Sequence, residues 1–199
     1  YWLADTACTQ AFWLAVVGGK NPSQFDGNPQ NPVESVSVEM IESQFLKKLQ
    51  KALGDAAPAL LPSEAEWEKA CRAGTTTAYC FGDSVTLEQV NYGNFLETKT
   101  RSHFRQRTVP VASLPPNSAG LFEMHGNVWE WCRDNLRQYG AEAMVDPEGP
   151  KGDSRALRGG SWLGGALLAR SAFRNALHVG DRYGFIGFRW SLRSMSQDQ

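Results

Sequence analysis

Beyond Gly74 the sequence loses any three- and four-residue apolar spacing, and glycine, proline, asparagine and aromatics are dispersed from Thr75 to Arg193. A chain of this kind can bury a core only by running long loops between short extended pieces. "RTVPVAS", "NVWEWC", "RALRGGSW" and "GFIGFRWSL" are predicted to be those pieces, each bounded by turn residues. Seven tryptophans offset the shortage of regular structure, because each brings a large apolar area to be buried. Trp129, Trp131, Trp162 and Phe188 are expected in the core together with Ile186.

The first part of the chain reads differently. "VSVEMIESQFLKKLQKAL" places Val38, Ile41, Phe45, Leu46, Leu49 and Leu53 on one helical face, with acids early, lysines late and Ser37 or Ser35 as cap. In "LPSEAEWEKACRAG" Ser63 and Glu66 have capping-box spacing, and Gly74 is the expected stop. "TQAFWLAVVG" predicts a third, short helix. At 199 residues one domain is expected, over 1–193, with "SMSQDQ" as a frayed tail at 194–199.

Charge and cysteine content narrow the partners. Twenty basic against twenty-one acidic side chains leave no electrostatic footprint for nucleic acid, so a protein or a small molecule is the expected partner. No apolar run is long enough to span a bilayer, and the first ten residues do not read as a signal peptide. The chain therefore reads as soluble, and its compartment stays open between cytoplasm and cell-surface display. Cys8, Cys71, Cys80 and Cys132 lie far apart without metal-site spacing. Buried free thiols are the default expectation, with a Cys71–Cys80 disulfide as the alternative in an oxidising compartment.

Taken in order, "LPSEAEWEKACRAG", "NYGNF", "TVPVASLPPNSAGLFEMHGNVWEWCRD", "RALRGGSW", "ARSAFRN" and "GFIGFRW" resemble the formylglycine-generating enzyme family, also called the sulfatase-modifying-factor domain. The resemblance runs from about Thr9 to Arg189 and implies an α+β, C-type-lectin-like fold with few short strands, two or three helices and much irregular loop. Family domains usually begin with a strand bearing a "GGTFxMGS"-like sequence, which this chain lacks, so the usual first strand is expected to be missing.

The resemblance also implies cations. Calcium would be held by the carbonyls of His125, Gly126 and Val128 and the side chain of Glu130, unless Glu130 instead pairs with Arg158 or Arg189. A second calcium site would use Asn91 and the Tyr92 carbonyl, but His103 or Arg105 stands where an acid is needed. Catalytic members hold copper with two cysteines after the "GGS" aromatic, a thiolate pair suited to copper(I). Here Gly164 and Ala169 or Ser171 stand in those places, so copper and formylglycine synthesis by that route are not expected. His103, His125 and His178 have no facial-triad spacing, which argues against the iron-dependent branch. A cysteine-free branch acting on siderophore-type precursors stays open as the enzymatic alternative, beside an unvaried scaffold.

The remaining branch resembles this chain most in its last segment. Variable proteins of diversity-generating retroelements carry a similar "RGGSW…RSA.RN…IGFR" frame with randomised residues between, arising by mutation of adenines in asparagine codons. Such codons give Leu, Gly, Ala, His, Val, Tyr and Phe but never Lys, Glu, Gln, Met or Trp. None of those five occurs from Leu163 to Phe185. The expected ligand-binding residues are Leu163, Gly164, Gly165, Leu167, Leu168, Leu177, His178, Val179, Tyr183 and Phe185, with the larger apolar ones together on an exposed face.

Overall fold

The computed structural model describes residues 1–55, 57–94, 104–140 and 142–193, so His103 and the tail at 194–199 lie outside the described residues. The helices form where local signals are strongest. Helix α1 (Gln10–Val17) starts where Thr9 Oγ1 accepts from Phe12 N at 3.1 Å. Ser37, not Ser35, caps the next helix by accepting from Met40 N at 3.2 Å. That helix begins as α2 (Val38–Met40), widens into a π-helical stretch (Ile41–Leu46) and ends as α3 (Lys47–Leu53). The widening, which spacing alone does not predict, carries Ile41, Phe45 and Leu46, all buried.

Helix α4 (Glu64–Arg72) has the expected reciprocal box: Ser63 Oγ accepts from Glu66 N at 3.1 Å, and Glu66 Oε2 accepts from Ser63 N at 2.7 Å. It stops one residue before Gly74, at Ala73, whose φ of 44° puts it in the left-handed region.

Among the described residues seven short strands make two small sheets. β1 (Trp2–Leu3) and β2 (Ala59–Leu60) flank β7 (Ser191–Leu192), antiparallel to it, tying the start of the chain to its end. The second sheet has the order β5-β4-β3-β6, from β3 (Trp129–Trp131), β4 (Ser154–Arg158), β5 (Asn175–His178) and β6 (Ile186–Gly187), with only β3 and β6 parallel. "RTVPVAS" makes no strand. Its Val109 pairs with a side chain instead: Val109 N donates to Asn127 Oδ1 at 3.0 Å and Asn127 Nδ2 donates to Val109 O at 3.1 Å. An asparagine amide has both groups of a peptide unit and can replace a strand partner.

The main core sits between the π-widened helix and the second sheet. Trp13 stacks on Phe45 at 5.6 Å, and Phe188 meets Phe45 edge-on at 5.1 Å. Trp131, Leu157 and Ile186 complete it, and Trp131 Nε1 donates to Val36 O at 3.0 Å, so its one polar atom is satisfied. Trp129 is also buried. Trp162 departs from expectation: it is only half-buried and lies at the edge of the site described next.

Candidate ligand-binding site

The frame of segment 158–189 is held by arginines buried against acids. Arg158, on β4, is fully buried over the Trp67 ring; it donates to Glu68 and to Phe173 O, and Glu64 Oε1 lies 3.3 Å from its Nε without hydrogen-bond alignment. Arg174 clamps both Glu64 oxygens at 2.6 and 2.5 Å. Arg189 forks onto Glu130, Nε to Oε2 at 2.7 Å and Nη2 to Oε1 at 2.9 Å, and Trp67 Nε1 donates to the same Oε2 at 2.7 Å. Guanidinium forks of this kind are geometrically specific, and a buried acid needs one.

Of the expected calcium set His125, Gly126, Val128 and Glu130, the one carboxylate, Glu130, is buried and bridged by a guanidinium, the pairing with Arg189 that the sequence kept as the alternative. At the second expected site Asn91 gives its amide nitrogen to Arg107 O and Asn127 Oδ1, while its own Oδ1 has no hydrogen-bond partner among the described residues; of the two residues at the acid position, Arg105 is exposed and His103 lies outside the described residues.

Above this frame, Gly159 and Gly160 turn the chain with φ of 95° and 74°, and a Cβ on Gly160 would lie 2.8 Å from Ala169 Cα. The close approach seats a 3-10 turn (Ala166–Ala169) directly on the bend. Two buried groups hold that turn. Tyr79 OH donates to Ala166 O at 2.8 Å. His125 donates from Nδ1 to Ala169 O at 2.7 Å and accepts at Nε2 from Cys80 N at 3.0 Å, which fixes a neutral tautomer. Burial, which disfavours the charged ring, holds the pKa of His125 down at about 4.

The turn is one wall of a cavity of about 640 Å³, lined by Gly164, Gly165, Ala166, Leu167 and Leu168 with Tyr92, Gly93, Asn94 and Phe104 opposite. Gly93 N donates to Gly164 O at 2.8 Å, and a Cβ on Gly93 would stand 2.3 Å from Trp162 O, so only glycine lets the walls meet. Trp162 packs edge-on against Phe25 at 5.2 Å and donates Nε1 to Gly184 O at 3.0 Å, linking the cavity side to the 183–185 stretch.

The expected binding residues thus fall into two groups. Gly164, Gly165, Leu167 and Leu168 line the cavity. Leu177 and His178 lie on β5, at the opposite edge of the sheet from β6, with Val179 just beyond them, and Tyr183 stacks on Phe185 at 5.2 Å and 2°. The expected wholly exposed patch does not form. Leu167 and Tyr183 are exposed, whereas Leu163, Leu168, Leu177, Val179 and Phe185 are half-buried, the last four against the main core. None of the seven is fully buried.

Gly93, Asn94, Phe104 and Ala166 are not among the residues expected from the sequence, and Tyr92 was expected only as a calcium ligand. The "NYGNF" motif holds Tyr92, Gly93 and Asn94, and its glycine directly after an aromatic residue is the signal that could have found them. No cysteine lines the cavity among the described residues. Cys71 and Cys80 are free, and burial pushes their thiols up to about 12 and about 11. Ser171, one candidate for a copper ligand position, lies 3.7 Å from Cys71 Sγ as a buried hydroxyl.

The model of the sulfatase-modifying factor enzyme 1-like domain matches residues 6–193. A formylglycine-generating enzyme of Streptomyces coelicolor is 36% identical over 162 residues, 77% of this chain and 48% of that protein, so the chain spans about half its length. A hercynine oxygenase of Mycolicibacterium thermoresistibile is 37% identical over 177 residues, 81% of this chain and 36% of that one. Among solved structures, Treponema denticola variable protein 1 superposes with a TM-score of 0.82 at 27% identity, over 96% of this chain and 84% of that one. PvdO from Pseudomonas aeruginosa shares the fold with a TM-score of 0.78 at 24% identity, over 96% and 79%.

Proposed function

Since the chain belongs to the sulfatase-modifying factor enzyme 1-like domain family, we propose that it is a non-catalytic binding protein whose segment 158–189 displays a diversified ligand surface, as in the variable proteins of diversity-generating retroelements. One observation carries the reading. The 640 Å³ cavity is walled on one side by residues of the mutable class, Gly164, Gly165, Ala166, Leu167 and Leu168, which supply no acid, base or nucleophile. Three frame arginines, Arg158, Arg174 and Arg189, are committed to buried or half-buried structural acids, while the exposed Arg170 donates Nε to Leu167 O at 3.0 Å and so braces the turn itself. Such a division lets the cavity wall vary while its support stays constant. Apolar walls with few polar groups are what a binding pocket needs, and catalysis needs more.

The test is genetic and then biochemical. A near-copy of the coding segment for Arg158–Arg189, differing only at adenines and close to a reverse transcriptase gene, is the expected finding. Absence of any such copy from the complete source genome overturns diversification and leaves an unvaried scaffold. The fold shared with PvdO leaves open the second reading, a cysteine-independent enzyme acting on a siderophore-type precursor. Turnover of such a precursor by the purified protein, lost in a Leu168→Trp variant that fills the cavity, would establish that reading instead.

A further inference from the structure

Segment 104–110 passes from one cavity to another. Phe104 lines the 640 Å³ cavity, while Arg105, Arg107 and Thr108 line a second one of about 540 Å³ together with Asn28 and Asn31. No acidic residue lines this second cavity among the described residues. Arg105 and Arg107 are exposed and have no ion-pair partner among the described residues. Glu88, which feels the charge of Arg105, and Asp26, adjacent in sequence to the cavity wall, are both exposed and lie outside it.

Two further features set this cavity apart from an ordinary basic patch. Asn31 and Thr108 are only 4% and 3% exposed, yet Asn31 Oδ1 and Thr108 Oγ1 have no hydrogen-bond partner among the described residues. Buried polar atoms are nearly always paired, so two orphans lining one cavity mark missing partners. Arg107 is also placed without being neutralised, its guanidinium lying 5.7 Å from the centre of the Phe25 ring. Asn28 uses Oδ1 to accept from Gln30 N at 2.9 Å, which leaves its amide N–H groups to donate.

We propose that this cavity binds an oxyanion, a carboxylate or a phosphate, carried by a ligand with a hydrogen-bond donor next to the anionic group. The two guanidiniums supply charge and forked donors, and the Thr108 hydroxyl and Asn28 amide supply neutral ones. Asn31 Oδ1 can only accept, so it takes the ligand's neighbouring N–H or O–H. The acyl-amino acid unit Cα–COO⁻ with its preceding N–H has this pattern, and so does a phosphate monoanion with its own O–H. This inference holds whether or not the neighbouring window is diversified, and its failure would leave that reading untouched.

The probes are N-acetylglycine, acetate and inorganic phosphate, each titrated at constant ionic strength against chloride while the Thr108 amide and the Arg105 and Arg107 side-chain Nε–H signals are followed by NMR. Saturable shifts at all three positions are expected, with N-acetylglycine or phosphate binding more tightly than acetate because acetate has no donor. The tighter of those two names the source of the oxyanion. Arg105→Gln with Arg107→Gln should weaken binding by about tenfold or more, as the loss of charge-assisted donors predicts. Thr108→Val, which keeps the shape, should weaken it by a smaller factor. Shifts that match those in chloride, or an unchanged affinity in the double variant, overturn the proposal; acetate binding as tightly as the other two overturns the donor requirement.

Discussion

Within one segment, 158–189, two sets of residues have opposite fates. Arg158, Arg189 and Ser171 are fully buried, and Arg158 and Arg189 are tied to acids that come from α4 and β3. Leu167 and Tyr183, a few positions away, are exposed and have no structural polar role in their side chains. The difference teaches that this fold concentrates its specificity in a few charged clamps reaching into other parts of the chain. The intervening residues are thereby released from holding the fold, and Leu168, Leu177, Val179 and Phe185 are the intermediate cases that still lean on the core.

The sharpest way to break the comparison is at a clamp. Arg189→Met removes the cation from Glu130 and leaves a buried carboxylate with only Trp67 as partner, so a loss of about 3–5 kcal/mol is expected in urea unfolding. A loss under about 1 kcal/mol would show that the clamp is not what holds this region. Changing Glu130 to Gln in the same protein should recover part of the loss, since the uncompensated charge is then gone.

Next in size is an effect of pH on the tether beneath the 3-10 turn. The folded pKa of His125, about 4, lies below its ordinary value, so folding excludes the proton. Its contribution is therefore fully present above pH 6.5 and is lost as pH falls from there toward 4, by up to about 3 kcal/mol. His125→Gln should be less stable at pH 7 but lose less on acidification. Parallel losses in the two proteins would remove His125 from the account.

The smallest effects are expected in the window itself. Tyr183→Ser forfeits the stack on Phe185, for which about 1 kcal/mol is the expected loss. Leu167→Ser, at a side chain 69% exposed, should change stability by no more than about 0.5 kcal/mol. Thermal unfolding that ranks Leu167 with the clamps would erase the distinction between frame and window.

Local features are legible in the sequence alone: the caps of Ser37 and Ser63, the box with Glu66, and the strands in "NVWEWC" and "RALRGGSW". Each depends on residues a few positions apart, whose geometry the backbone imposes by itself. The family resemblance extends this reading to the α+β fold. What could not be read depends on distance along the chain. Whether Glu130 paired with Arg158 or with Arg189 was decided by a contact 59 residues along the chain. Whether Val109 had a strand partner turned on an asparagine amide 18 residues on. The opposite wall of the cavity, Tyr92 to Asn94 and Phe104, and the orphaned Asn31 and Thr108 beside the two arginines acquire meaning only once the chain has closed on itself. Sequence spacing dictates which groups a helix or strand can present, but a buried charge is matched, or a polar atom left unmatched, by whatever the folded chain brings within about 3 Å of it.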